Sequence, residues 1–243
     1  MKTIGILGGM SWESTVSYYQ LINREVNARL GGLHSAKICI RSVDFQEVAN
    51  AIRPSGSTLG GEDSNRNRLA ELLIREAKFL EKGGADCLLI ACNTVHKIAD
   101  DVENAISIPL FHIADLTGEK LVRDGKKRVA LLGTQFTMRQ RFYRKRLKHR
   151  FGLDVLVPEP DDQMRVHNII EEQLCKGSIR KEDRQVYCKI IRKLQSRGAE
   201  AVLLGCTEIG LLLSEGDSEL PLYDTAVIQA KYAVDWALNS SIQ

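Results

Sequence analysis

Eight short runs of the chain are apolar on consecutive positions: TIGILGG (3–9), KICIRSV (37–43), DCLLIAC (86–92), PLFHI (109–113), RVALLGT (128–134), DVLVP (154–158), AVLLGC (201–206) and LPLYD (220–224). A strand that is apolar on both faces must be covered on both, the condition of a parallel sheet with helices above and below. The intervening stretches have helical spacing. In NRLAELLIREAKFLEKGGAD, Leu69, Leu72, Leu73, Glu76, Ala77 and Leu80 recur at three- and four-residue steps, and Gly83 and Gly84 stop the helix. The alternation predicts an α/β fold with parallel sheets and right-handed crossovers. Only RPSGSTLGGEDSN (53–65) follows neither period; a loop is expected there, of the length used for lids and binding loops.

The pattern then repeats. GADCLLIACNT (84–94) and GAEAVLLGCTE (198–208) share a Gly-Ala-acid opening, an apolar run and a cysteine eight residues after the glycine, at Cys92 and Cys206. TIGILGG pairs with RVALLGT, and IPLFHIAD (108–115) with LPLYDTAV (220–227). The offsets are 125, 114 and 112 residues, so order is kept while loop lengths drift. Two similar three-layer α/β domains related by a pseudo-twofold axis are expected, with the active site in the cleft between them. Residues 1–115 with 226–243 would form the first and 116–225 the second. The last helix, DTAVIQAKYAVDWAL, should pack back on the first domain, because no strand follows it.

Composition narrows the class. With 243 residues and 44% hydrophobic positions the chain can build its own cores. Lys plus Arg number 34 against 31 acidic residues, a formal net charge of +3, too small and dispersed to predict a nucleic-acid partner. The one basic run, Arg139, Arg141, Arg144, Lys145, Arg146, Lys148, His149 and Arg150, suits the solvated face of a helix. No stretch approaches the roughly 18 apolar residues of a membrane span, and the apolar stretch before Gly8 and Gly9 is too short for a signal-peptide core, so a cytoplasmic location is expected. The six cysteines show no CxxC pair or zinc spacing and should be free thiols. The five histidines form no metal pattern, and no metal is expected.

Cys92 and Cys206 differ from the other four in address. Both follow a buried strand at its carboxyl end, where loop amides and helix N-termini converge on ligands in parallel sheets. Both precede small polar residues, Asn93 and Thr94 in one case and Thr207 in the other. A nearby helix N-terminus would lower a thiol pKa from about 8.5 toward neutrality. Two thiols approaching one ligand from opposite sides could take an α-proton from one face of a carbon and deliver one to the other. Cys39, Cys87, Cys175 and Cys188 lack this address and read as packing groups.

ILGGMSWEST at the first turn, ACNT at 91–94 and GCTE at 205–208 resemble the aspartate/glutamate racemase superfamily of cofactor-independent amino-acid racemases, and the similarity covers essentially the whole chain. GCTE followed by IGLLL is closer to the aspartate branch, since glutamate racemases usually carry histidine after GCT. The resemblance implies a racemase for aspartate, glutamate or both, working without pyridoxal phosphate or any other cofactor, with Cys92 and Cys206 as acid/base pair and a homodimer as the expected assembly. A relative on the same scaffold, such as a hydantoin racemase, a glutamate-only racemase or a maleate isomerase, stays open. So does a non-catalytic protein that binds an acidic amino acid.

Other candidates follow from position. Met10 and Ser11, with Gly8 and Gly9, form a glycine-rich turn that does not match GxGxxG but offers backbone donors and a hydroxyl to a carboxylate. Thr134 occupies the equivalent turn of the second repeat, and Asn93, Thr94 and Thr207 are further donors. A second substrate carboxylate needs a cation. Arg53, where the family places an arginine, is the first candidate; Arg165, ahead of Lys176, is the candidate in the second half. His96, four residues after Cys92, is either a thiol-tuning group or, more in keeping with its position, a helix-surface or capping residue.

Overall fold

Seven of the eight apolar runs form strands, and the eighth shrinks to a single bridge. The structure is a computed structural model and describes residues 1–52 and 62–239. Its strands are β1 (Ile4–Gly8), β2 (Ile38–Ser42), β3 (Cys87–Ile90), β4 (Arg128–Gly133), β5 (Asp154–Leu156), β6 (Ala201–Gly205) and β7 (Leu222–Asp224). In PLFHI only Leu110 pairs, in parallel with Leu88, through Leu88 N–H to Pro109 O at 2.9 Å and Phe111 N–H to Leu88 O at 3.0 Å. The run ends there because Ile113 already begins the helix Ile113–Arg123.

The chain divides into two compact units, Met1–His112 with the chain from Ala230 onward, and Ile113–Gln229. The first unit holds a sheet of order β2-β1-β3, with the Leu110 bridge on the free edge of β3; the second holds β5-β4-β6-β7. All pairings are parallel. Counted within each unit, the order is second, first, third and fourth segment, so the sequence repeat is a repeat of topology.

The second unit shows why its strands are apolar on consecutive positions. Ala130, Leu132, Val202 and Leu204 face a core that includes Val166 and Ile170 of the helix Pro160–Glu172 and Tyr187, Ile190 and Leu194 of the helix Lys181–Ser196. Their neighbours Val129, Leu131, Ala201 and Leu203 face the opposite core, with Leu121 of Ile113–Arg123 and Tyr143 and Leu147 of the helix Arg141–Phe151. Side chains alternate along a strand, so covering both faces requires apolar residues at every position. Where the two sheet-core strands end, Gly133 lies opposite Gly205. A Cβ on Gly133 would stand 2.9 Å from Gly205 O, which leaves no room for a side chain there.

The helix Glu62–Lys82 begins earlier than the sequence pattern implies. Residues 62–65, assigned above to the loop 53–65, are helical; acidic and polar residues satisfy a first helical turn as readily as a loop. The rest of that loop, with Arg53, lies outside the described residues. On this helix Leu69, Leu73, Ala77 and Leu80 are fully buried, and so is the carboxylate of Glu76 at 4% exposure. Arg41 of β2 donates to Glu76 Oε2, and Arg75 Nε donates to Oε1 at 2.8 Å. Burial would raise the Glu76 pKa, but the two guanidinium groups more than offset it and hold the carboxyl below its ordinary 4.5. The ion pair therefore stabilises the fold above that pH, and its contribution disappears as pH falls through the lower folded value. Both arginines are substantially exposed, so Glu76→Gln is expected to cost about 1 kcal/mol at pH 7. The difference from the unsubstituted protein should shrink as pH falls below the ordinary 4.5 and through the lower folded value in urea unfolding.

The basic run is interrupted at Gln140, between the helix Gln135–Arg139 and the helix Arg141–Phe151. Four of its members are not merely solvated: Arg146 grips Asp115 through Nε and Nη2 at 2.6 and 2.8 Å, Arg150 joins the same carboxylate, Arg139 Nε donates to Gln163 Oε1 at 3.2 Å, and Arg144 Nη2 donates to Arg139 O at 3.4 Å. In the first unit, the end of the helix Thr225–Asn239 packs on the segment from Lys2 to Phe111. Lys2 N–H donates to Ala237 O at 3.1 Å, and Phe111 meets Tyr232 and Trp236 edge-on at 5.0 and 5.2 Å. Among the described residues no helix is long and apolar enough to cross a membrane.

Candidate active site

In the first unit the candidate residues gather where β1 and β3 end. Leu7 pairs with Ile90, and Ala91 N–H donates to Leu7 O at 2.9 Å, so the turn Gly8–Ser11 runs beside Cys92. Gly9 has φ 91°, and its N–H donates to Thr15 Oγ1 at 2.7 Å. Ser11 caps the 19-residue helix Trp12–Leu30, its Oγ accepting from Ser14 N–H at 3.4 Å. Ser14 Oγ donates to Ala91 O at 3.1 Å, which ties the first turn of that helix to the residue before Cys92. Met10 is buried in the first unit's core. Cys92 is half-buried, while Asn93 and Thr94 behind it are buried.

His96 is neither a surface nor a capping residue. It lies in the 3-10 turn Thr94–Ile98 at 3% exposure, with Nδ1 2.8 Å from Cys92 O. A carbonyl only accepts, so Nδ1 carries the proton, and the ring orients the Cys92 backbone. The buried His112 ring packs edge-on against it at 4.7 Å.

In the second unit the register Gly133↔Gly205 sets Thr134 and Cys206 side by side at the ends of β4 and β6. Thr134 is half-buried and caps the helix Gln135–Arg139, its Oγ1 accepting from Thr137 N–H at 3.3 Å. Cys206, Thr207 and Glu208 are all buried. Cys206 Sγ donates to Glu208 Oε2 at 2.9 Å, and the other carboxylate oxygen, Oε1, takes Cys175 Sγ–H at 3.7 Å.

This surrounding reverses the expected thiol pKa. Burial first, and the Glu208 carboxylate second, push Cys206 well above the ordinary 9.0, so it rests as S–H. The helix behind it, Ile209–Leu212, has one turn and little dipole to oppose them. Two of the four cysteines read as packing groups are also bonded: Cys175 to Glu208, and Cys188 to Asp217 O at 3.2 Å. The signal for Glu208 was present in the motif GCTE; nothing local pointed to Cys175.

Of the cation candidates, Arg165 and Lys176 fall within the described residues. Arg165 is on the helix Pro160–Glu172 with 67% of its side chain exposed, 3.9 Å from Asp162 Oδ1, and Lys176 is exposed. Among the described residues no group of His, Cys, Asp and Glu is arranged to hold a metal ion. Each unit thus presents one cysteine at the carboxyl end of its third strand, beside the turn that follows its first strand.

The family model for Asp/Glu/hydantoin racemases matches residues 7–233. A broad-specificity amino-acid racemase, RacX, from Bacillus subtilis strain 168 is 28% identical over 231 residues, covering 95% of this chain and 96% of that protein. An aspartate racemase homologue from Pyrococcus horikoshii OT3 has a crystal structure that superposes with TM-score 0.81 at 33% identity, covering 98% of this chain and 100% of the other. A Yersinia pestis protein described provisionally as an Asp/Glu racemase superposes with TM-score 0.87 at 43% identity, with the same coverage.

Proposed function

Because the chain belongs to the Asp/Glu/hydantoin racemase family and so is an amino-acid racemase, we propose that it interconverts the L and D forms of aspartate, glutamate or both, without pyridoxal phosphate, with Cys92 and Cys206 as its proton-transfer groups. The observation that carries this is the shared topological address of the two cysteines, each at the carboxyl end of the strand neighbouring the first strand of its sheet. In one direction a Cys92 thiolate removes the α-proton and Cys206, at rest an S–H, protonates the opposite face; in the other direction the roles exchange.

A thiolate is far too weak a base to hold an α-carbanion unaided. The mechanism needs donors on the substrate carboxylate, and Met10 and Ser11 with Asn93 and Thr94 from one unit, and Thr134 and Thr207 from the other, are the groups assigned to it. Arg53 and Arg165 are the cations assigned to the side-chain carboxylate, by type and by the family resemblance. A homodimer is proposed with them, to be checked by sedimentation velocity.

The test is α-proton exchange in deuterium oxide with L-aspartate and, separately, L-glutamate, after removal of any pyridoxal phosphate. Deuterium uptake with loss of optical rotation is the expected result, and the relative rates rank the substrates. Neither signal with either amino acid would overturn the substrate assignment and point to another member of the family's substrate range, such as a hydantoin.

A further inference from the structure

The second unit buries a group that the two-cysteine mechanism does not use. Cys175 stands in the 3-10 turn Leu174–Lys176, after the helix Pro160–Glu172, and directs its S–H to Glu208 Oε1 at 3.7 Å, while Cys206 directs its own to Oε2 at 2.9 Å. One buried carboxylate therefore spans two thiols that lie 31 residues apart in the chain. Glu208 is 3% exposed and Cys206 9%, and both thiols belong to or pack against the apolar cluster of Leu174, Tyr187 and Leu212. The two donors draw on one carboxylate through different oxygens, so each weakens the bond that the other makes.

We propose that Cys175 is a positioning residue for racemisation: by holding one oxygen of Glu208, it turns the other toward Cys206 and sets how tightly the Cys206–Glu208 pair retains its shared proton. The inference rests on Cys206 acting in proton transfer. In the turnover direction in which Cys206 is the acid, its S–H bond breaks as the α-carbon–H bond forms, leaving the Cys206 thiolate. In the reverse direction the thiolate recovers a proton from carbon. Cys175 keeps its own proton throughout, and nothing is oxidised or reduced.

Charged and titratable groups of the surrounding helix act on the same enclosure. From the helix Lys181–Ser196, Tyr187 is held well above its ordinary 10.0 by burial and then by Cys206, so it stays neutral, donating to Val166 O at 3.3 Å. Asp183, one turn earlier on the same helix, acts on Tyr187 as a like charge, and Glu208 and Cys175 contribute in the same sense. Removing the Cys175 donor leaves Glu208 free to hold the Cys206 S–H more firmly, so Cys206 should give up its proton at higher pH.

The test compares kcat and KM against pH for the unsubstituted racemase and for Cys175→Ala, Cys175→Ser, Glu208→Gln and the double variant Cys175→Ala/Glu208→Gln. For Cys175→Ala, kcat should fall about tenfold at neutral pH with KM within about twofold, and the limb of the profile belonging to the pair should move to higher pH. Cys175→Ser keeps a donor and should shift the limb less; it also serves if the alanine variant does not fold. With Glu208 already replaced, Cys175→Ala should have no further effect, whereas a role in packing alone would add its cost in either background. A profile for Cys175→Ala and Cys175→Ser that superimposes on the unsubstituted one, or additive effects in the double variant, overturns the proposal. Cys206→Ala, run alongside, separates the two ideas: if it stays active, the thiol mechanism itself has failed, and if it is inactive while the Cys175 variants are unaltered, only the positioning role has.

Discussion

Cys92→Ala and Cys206→Ala, made singly, should each lower racemisation by at least about a thousandfold, within the range that general acid–base groups contribute. The expected pattern of α-proton exchange is more telling than the loss. An enzyme with one thiol left can still deprotonate the enantiomer whose α-hydrogen faces that thiol, and return a solvent-derived deuteron to the same side. Each variant should therefore exchange one enantiomer without inverting it, and the two variants should choose opposite enantiomers. Proton nuclear magnetic resonance of L- and D-substrate in deuterium oxide reads this directly. Inversion at an undiminished rate in either variant would end the assignment of that cysteine. Near-ultraviolet circular dichroism of each variant checks that the loss is chemical, since Cys92 is half-buried and tolerates truncation better than Cys206.

Gly9→Ala should be the most damaging single change to the fold around the first unit's turn. Gly9 has φ 91°, a conformation L side chains rarely adopt, and an added Cβ would stand 2.2 Å from Val43 O and 2.5 Å from Val43 N. Both contacts are with backbone, held by the Val43 N–H to Gly8 O bond of 3.0 Å that continues the β1–β2 pairing, so neither can give way cheaply. A cost of about 3 kcal/mol is expected from backbone strain and overpacking together. That corresponds to a thermal midpoint lower by roughly 10 °C, which differential scanning calorimetry would measure. Because Met10 and Ser11 follow immediately, activity should fall even at temperatures where the variant remains folded. A midpoint within a degree or two of the unsubstituted protein would mean that the turn relaxes around the new methyl group.

How far the residues spoke for themselves differs from element to element. Covering a parallel sheet on both faces demands apolar residues along the strand, and this requirement is local, so the buried β1, β3, β4 and β6 stand out as runs of Ile, Val and Leu, while the edge strand β2 carries Arg41 and Ser42 and is only partly buried. The duplicated topology is equally visible, because the same strand and cysteine must recur in the same order: Cys92 and Cys206 each stand eight residues beyond a glycine, and in the structure each ends the third strand of its sheet. Boundaries were less visible where one composition serves two purposes. Residues 62–65 satisfy a helix start as well as a loop, and PLFHI pairs through Leu110 alone because Ile113 is taken by the next helix.

The electrostatic character of the site lay beyond the pattern altogether. Position at a strand end argued for an acidified Cys206 thiol, yet burial and Glu208 drive it the other way. His96, expected more as a helix-surface or capping residue than as a thiol-tuning group, is buried in a 3-10 turn with its ring on the carbonyl of Cys92, four residues back. Cys175, which no motif marks, reaches Glu208 across 33 positions of sequence. Strand and helix periods are written in neighbouring residues, since they record which face of an element is dry. A proton's affinity depends instead on how much water is excluded and which charges stand within a few ångströms, and those neighbours come together only when distant segments pack.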